Sequence, residues 1–172
     1  MARSLTLSDK SASKLLSARD GRQDALVQAL SQGFQSTIFL ALNIPGPDKK
    51  LSGSHELFLW ALAEMLTRFP GAVSHANGLD ALGDYAIMGV NQASVEVKKH
   101  CMAIESINAS ARLIDLDVYS ENGKQVDRKS LGSPARPCLV CSEDAVECMR
   151  LQRHFSPEVI SKAHELLTPF RP

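Results

Sequence analysis

The run Leu113-Ile114-Asp115-Leu116-Asp117-Val118-Tyr119 constrains the fold more than any other stretch of this chain. Residues i and i+2 of a strand share a face. The alternation of aliphatic and acidic side chains therefore reads as a strand, with Ile114, Leu116 and Val118 turned into a core and Asp115 and Asp117 side by side on the opposite face. A strand of this kind needs sheet neighbours and a layer to cover its apolar side. The plain outcome of such a pattern is an amphipathic strand with a polar outer face. The chemical alternative starts from repulsion: two adjacent carboxylates are best tolerated with a cation between them. Mg²⁺ is commonly held by one or two carboxylates together with substrate phosphates, as in many nucleotidyl-transfer sites. Asp115 and Asp117 are thus candidate catalytic residues and Mg²⁺ ligands.

The rest of the chain supplies the neighbours. Helical spacing of Leu15, Leu16, Ala25, Leu26, Ala29 and Leu30 predicts helix over 8–32, with Ser17–Arg22 as a point where it breaks into two. A strand follows over 36–44 and stops at Pro45-Gly46-Pro47, a turn. Residues 54–68 read as a buried helix closed by Phe69-Pro70-Gly71. Strands are expected at 72–77 and 84–90, then a helix at 93–107 with Val97, Cys101 and Ile104 on one face, Cys101 as plain core. The strand at 112–119 turns at Asn122-Gly123, a strong hairpin signal, and returns over 124–128. A Gly/Pro-rich loop at 132–137 leads to a cysteine-bearing segment and one or two terminal helices. Strands separated by helices, with at least one antiparallel hairpin, predict an α+β single domain over 1–172: a mixed sheet packed by helices, with a Cys/His-bearing segment at about 132–155.

At 172 residues and 44% hydrophobic, the chain can bury a sizeable core. Lys plus Arg and Asp plus Glu each number 19, so the basic surplus of a nucleic-acid binder is missing. An aromatic content of 5% argues against a stacking platform for single strands. The first residues hold no apolar run of the ~7–15 residues that a signal peptide needs, and the longest greasy stretch, Leu57–Ala63, is far short of the ~20 that span a bilayer. The expectation is a cytoplasmic protein without nucleic-acid or membrane partners. Its four cysteines are then thiols or metal ligands rather than disulfides.

Cys138, Cys141, Cys148 and His154 have the spacing C-x2-C-x6-C-x5-H. Cys and His in sets of four are the donors of tetrahedral zinc sites, which often open on C-x2-4-C. A redox reading would need a strand feeding a helix N-terminus before the C-x-x-C, and Gly132–Pro137 stands there instead. Structural Zn²⁺ and simple buried thiols both remain open on spacing alone. Two basic loops complete the candidates: Arg19-Asp20-x-Arg22-Gln23, and Pro45-Gly46-Pro47-x-Lys49 after a strand. Each suits phosphate or carboxylate recognition or is solvated surface and an ordinary turn.

Taken in order, Ala18-Arg19-Asp20-Gly21-Arg22-Gln23, Asn43-Ile44-Pro45-Gly46-Pro47-x-Lys49, Arg112-Leu113-Ile114-Asp115-Leu116-Asp117-Val118 and Pro137-Cys138-Leu139-Val140-Cys141 with Cys148 and His154 resemble the holo-citrate lyase synthase (apo-citrate lyase phosphoribosyl-dephospho-CoA transferase) family. The resemblance spans roughly residues 17–155. It implies a nucleotidyltransferase-type enzyme that moves the phosphoribosyl-dephospho-CoA group from its triphosphate precursor, triphosphoribosyl-dephospho-CoA, to a serine of the citrate lyase acyl-carrier (gamma) subunit, with loss of pyrophosphate. A related transferase serving malonate decarboxylase relies on a paired-aspartate motif. Under this reading Mg²⁺ on Asp115 and Asp117 meets the phosphates, and Arg19, Arg22, Gln23, Gly46, Lys49 and Arg112 bind substrate. The segments 18–23 and 45–49 should then border the cleft that holds the aspartates. One departure stands out: the family's usual His-Pro-Leu-Gly before Arg112 is here Asn108-Ala109-Ser110-Ala111. The alternatives are a non-catalytic, zinc-stapled protein-binding module and the same chemistry on a different carrier.

Overall fold

The structure, a computed structural model, describes residues 7–172. Helix α1 (Leu7–Leu30) leads into strand β1 (Ser36–Leu42), helix α2 (Ser54–Arg68), strands β2 (Val73–Asp80) and β3 (Gly83–Val90), and helix α3 (Ser94–Ile104). A 3-10 turn, Ser110–Leu113, feeds strand β4 (Ile114–Ser120), which hairpins to the short β5 (Gln125–Val126); helices α4 (Ala145–Arg150) and α5 (Ser156–Leu167) close the chain. The five strands lie in the order β2-β3-β1-β4-β5. The α+β class is as expected, but each pairing is antiparallel, where a mixed sheet was expected. The helix that joins two strands can return the chain in either direction, and only packing decides which.

The sheet has two unlike faces. Ile38 and Leu40 of β1, Ala86, Met88 and Val90 of β3, and Ile114, Leu116 and Val118 of β4 point to one face, where α2, α3 and α5 cover them in the main core. The stripe Val97, Cys101 and Ile104 seals α3 to it, and burial pushes the Cys101 thiol up to about 12, so it stays neutral core. On the other face α1 lays Leu26 and Ala29 against Ile87, with Phe39, Tyr85 and Tyr119 around them. Asp115 and Asp117 belong to this second face. Their neighbours across β1 are Ala41 and Phe39, and beyond Ala41 lies Tyr85.

Several boundaries differ from the sequence expectation. Helix α1 runs unbroken through 17–22. A glycine in a helix costs ~1 kcal/mol relative to alanine, and here Gly21 faces open space while the buried Arg22, Leu26 and Ala29 hold the helix to the sheet. Strands β2 and β3 are joined by the two residues Ala81 and Leu82 rather than a longer loop, with Asp80 accepting the Leu82 N–H at 2.7 Å. Arg112 lies in the 3-10 turn before β4, not on the strand. Among the described residues, no helix is long and apolar enough to cross a membrane.

Candidate active site and metal centre

The edge of β4 organises the site. Strand β5 pairs only with Val118 and Tyr119, so the outward backbone groups of Ile114 and Leu116 need partners elsewhere. All four have one. The Ile114 N–H donates to Ala111 O, and Ile114 O accepts from Arg136 Nη1 at 2.9 Å. The Leu116 N–H donates to Glu105 Oε1 at 2.9 Å, and Leu116 O accepts from Lys98 Nζ at 2.7 Å. Charged side chains from α3 and from the loop before Cys138 thereby gather against the strand that carries the two aspartates.

The result is a cavity of about 420 Å³ lined by both aspartates, four cations (Lys98, Arg128, Lys129, Arg136) and the polar Gln125 and Asp127. Glu105, at 4% exposure, sits behind it and pairs with Arg128 and, at 2.6 Å, with Arg136, which also reaches Asp115 at 3.2 Å. Burial and the neighbouring Asp115 charge hold the Asp117 carboxyl above the usual aspartate range, against the pull of Lys98 and of a 2.7 Å hydrogen bond from Gln125. Two acids that repel each other across one strand face, with cations around them, form a donor set suited to a hard divalent cation and the oxygens of a polyphosphate.

The other sequence candidates fall elsewhere. Arg22 lies on the aspartates' side of the sheet, two strands away, and its charge is already engaged. It donates to both Asp80 oxygens at 2.7 and 2.8 Å and to Gly83 O at 2.7 Å, and it stacks over the Tyr85 ring at 4.6 Å. Arg19 and Gln23 are exposed on α1. Lys49 donates to Ile44 O at 2.6 Å; burial and the nearby Arg19 charge lower its pKa. Gly46 answers a packing need: at φ +84 a Cβ would sit 2.8 Å from Ile160 Cδ1. Segments 18–23 and 45–49 thus neighbour each other, but none of their residues lines the 420 Å³ cavity. Arg112 donates to Cys138 O and lines an adjoining cavity of about 270 Å³ that shares Arg128 and Arg136 with the first.

Sequence reading missed Lys98, Glu105, Arg128, Lys129 and Arg136. One signal was present: Lys98 and Glu105 are seven residues apart and flank the apolar stripe of α3, which puts both on the buried side of the helix.

The Cys/His segment forms a second centre. The ligand atoms of Cys138, Cys141, Cys148 and His154 all lie within 4.8 Å of one another. Cys141 Sγ is 3.5 Å from Cys148 Sγ and 3.3 Å from His154 Nε2. A tetrahedral ion with metal–sulfur bonds of ~2.3 Å spaces its sulfurs by ~3.7 Å, so the cluster has the dimensions of a zinc site. The other imidazole nitrogen, Nδ1, faces Glu158 Oε2 at 3.5 Å, the carboxylate-behind-histidine pattern that orients metal-bound imidazoles. Burial works against ionising Cys138, yet the backbone N–H groups of Cys141 and Val140 and the neighbouring thiols hold it below its usual value. Burial and the neighbouring Cys141 and Cys138 thiols push Cys148 up to about 12. Three thiolates can share this space only around a cation. Backbone bonds from Cys138 N–H to Glu143 O at 2.7 Å and from Ala145 N–H to Arg136 O at 3.0 Å brace the loop, and Asp144 caps α4.

The chain is similar to known proteins over nearly its whole length. The family described as apo-citrate lyase phosphoribosyl-dephospho-CoA transferase matches residues 10–170. A probable apo-citrate lyase phosphoribosyl-dephospho-CoA transferase of Streptococcus pyogenes serotype M18 is 30% identical over 92% of this chain and 85% of its own length. The apo-citrate lyase phosphoribosyl-dephospho-CoA transferase of Citrobacter koseri is 26% identical over 90% of this chain and 86% of its own. Protein CitXG of Leuconostoc mesenteroides subsp. cremoris is 29% identical over 75% of this chain, which spans only 28% of that longer protein.

Proposed function

The chain belongs to the apo-citrate lyase phosphoribosyl-dephospho-CoA transferase family, and from that premise we propose that it transfers the phosphoribosyl-dephospho-CoA group from triphosphoribosyl-dephospho-CoA to a serine of the citrate lyase acyl-carrier subunit, releasing pyrophosphate. The observation that carries the proposal is the joining of Asp115 and Asp117 with Lys98, Arg128, Lys129 and Arg136 in one cavity. The serine Oγ loses its proton and forms a bond to the phosphorus nearest the ribose, while the bond from that phosphorus to the pyrophosphate oxygen breaks. The reaction is nucleotidyl transfer, and its demand is for positioning and charge stabilisation more than covalent chemistry.

Asp115 and Asp117 would hold Mg²⁺, which when bound neutralises phosphate charge and polarises the phosphoryl group. Arg128 and Arg136 offer planar forks to the phosphate oxygens, and Lys98 and Lys129 add point charges. With Glu105 counted, the four cations meet four carboxylates, so a dication turns the cavity net positive and ready for a polyphosphate. Among the groups that line the cavity, the aspartate carboxylates are the ones able to take up the serine proton. The Cys/His centre takes Zn²⁺ as a structural ion that fixes the loop carrying Arg136 and the carbonyl that Arg112 grips. The protein works in the cytoplasm, where its thiols stay reduced.

The test is a reconstitution of purified chain, triphosphoribosyl-dephospho-CoA, Mg²⁺ and the apo acyl-carrier subunit. Pyrophosphate release together with a matching mass gain on the carrier, both lost when the acceptor serine is alanine, is the expected result. No release with any carrier would leave the protein-binding module as the better reading, and release with another carrier would change the acceptor.

A further inference from the structure

We infer that Glu105 is the positioning residue of the anion-binding side of this cavity, acting on phosphate only through Arg128 and Arg136. The inference deepens the proposed function and rests on it. Glu105 directly follows α3, and its side chain is 2% exposed. Oε1 accepts from the Leu116 N–H at 2.9 Å and from Arg136 Nη2 at 2.6 Å, and Oε2 accepts from Arg128 Nη2. One carboxylate therefore ties the backbone between Asp115 and Asp117 to the two guanidiniums beside them. Both arginines stand outside the regular helices and strands: Arg128 caps the 3-10 turn after β5, and Arg136 belongs to the loop before Cys138. Each guanidinium has five N–H donors in a fixed plane; Arg136 also donates to Ile114 O at 2.9 Å and to Asp115 at 3.2 Å, so the bond to Glu105 helps fix the plane whose remaining donors are left to the cavity that both arginines line.

The sign of the charge makes the inference testable. A buried negative charge behind an anion site weakens anion binding if it is only a countercharge, so removing it should tighten binding. If it orients the arginines, removing it should weaken binding, because flexible cations must be ordered again when the ligand arrives.

The probe is inorganic pyrophosphate with Mg²⁺, titrated calorimetrically into the full chain and its Glu105→Gln and Glu105→Asp variants, beside steady-state kinetics with the triphosphate donor. Glu105→Gln should weaken pyrophosphate binding at least tenfold and raise KM for the donor by a similar factor, with kcat changed less than threefold. Glu105→Asp keeps the charge on a shorter stem and should recover part of the loss; it carries the comparison if the Gln variant does not fold. In an Arg128→Gln/Arg136→Gln background, adding Glu105→Gln should change binding less than twofold, since the arginines it positions are gone and the Gln amide oxygen can still accept from the Leu116 N–H. Binding that is unchanged or tighter in Glu105→Gln, or a full further loss in the double background, overturns the inference. Wild-type protein that binds no pyrophosphate overturns the functional reading and the inference with it.

Discussion

Replacing Asp117 with Asn should abolish transfer and at the same time make the metal-free protein more stable. Asp117 is held ionised at a cost: burial and the Asp115 charge both raise its carboxyl above the usual range. Two carboxylates ~6 Å apart on one strand face repel by about 1 kcal/mol at an effective dielectric of ~40–80. The high end of dielectric applies because the Asp115 side chain is 42% exposed. Asparagine keeps an acceptor for Gln125 and removes the repulsion, so the expected gain is about 1 kcal/mol, or roughly 2–4 °C in Tm for a chain of this size. The sign with pH follows. The native state binds the Asp117 proton more tightly than the unfolded chain, so that stabilisation is complete below the ordinary aspartate range. It is lost as pH rises through the raised native value. Across that window wild-type stability should fall relative to Asp117→Asn. Thermal melts with and without Mg²⁺, run beside the transfer assay, read all of this, and Mg²⁺ should raise the wild-type Tm but not the variant's. A variant that turns over normally, or that melts below wild type without Mg²⁺, would refute the reasoning.

Two further substitutions separate scaffold from site. Arg22→Leu strands a partly buried Asp80 carboxylate and should cost about 2–3 kcal/mol, somewhat less than the ~3–5 kcal/mol for breaking a fully buried pair; urea denaturation measures it, and pyrophosphate affinity of the folded fraction should be unchanged. Elemental analysis of purified protein should give about one zinc per chain, and Co²⁺ substitution should produce thiolate-to-metal charge-transfer absorption that Cys141→Ser diminishes. Chelation should lower the Tm.

What the sequence disclosed was local. The alternation around Asp115 and Asp117 set their face of β4 correctly, because period-two patterning is a property of a few neighbouring residues. The Cys/His spacing located four side chains that do converge, since the loop closing them is short. The Asn122-Gly123 turn signal matched a tight hairpin with Gly123 at φ +72. Long-range pairing was not readable in the same way. Arg22 reads in the sequence as a free phosphate ligand, whereas in the fold Asp80, 58 residues on, holds it. Arg128 and Arg136 carried no distinguishing pattern, because their importance comes from Glu105 and from an open strand edge that exists only in the folded sheet. The direction of the strands likewise depended on how each helix returned the chain.

That open edge has a second consequence. A strand with unpaired outward N–H and C=O groups is a template on which another chain can add a strand. At Ile114 and Leu116 those groups are occupied by Lys98, Glu105, Arg136 and the preceding turn, and β5 covers only the next two residues. The side chains proposed to bind a polyphosphate or to orient its ligands therefore also keep β4 from recruiting a foreign strand. Variants that strip the cavity of its charges would free a sticky sheet border, and self-association of such variants in solution is to be separated from loss of activity before either is ascribed to chemistry.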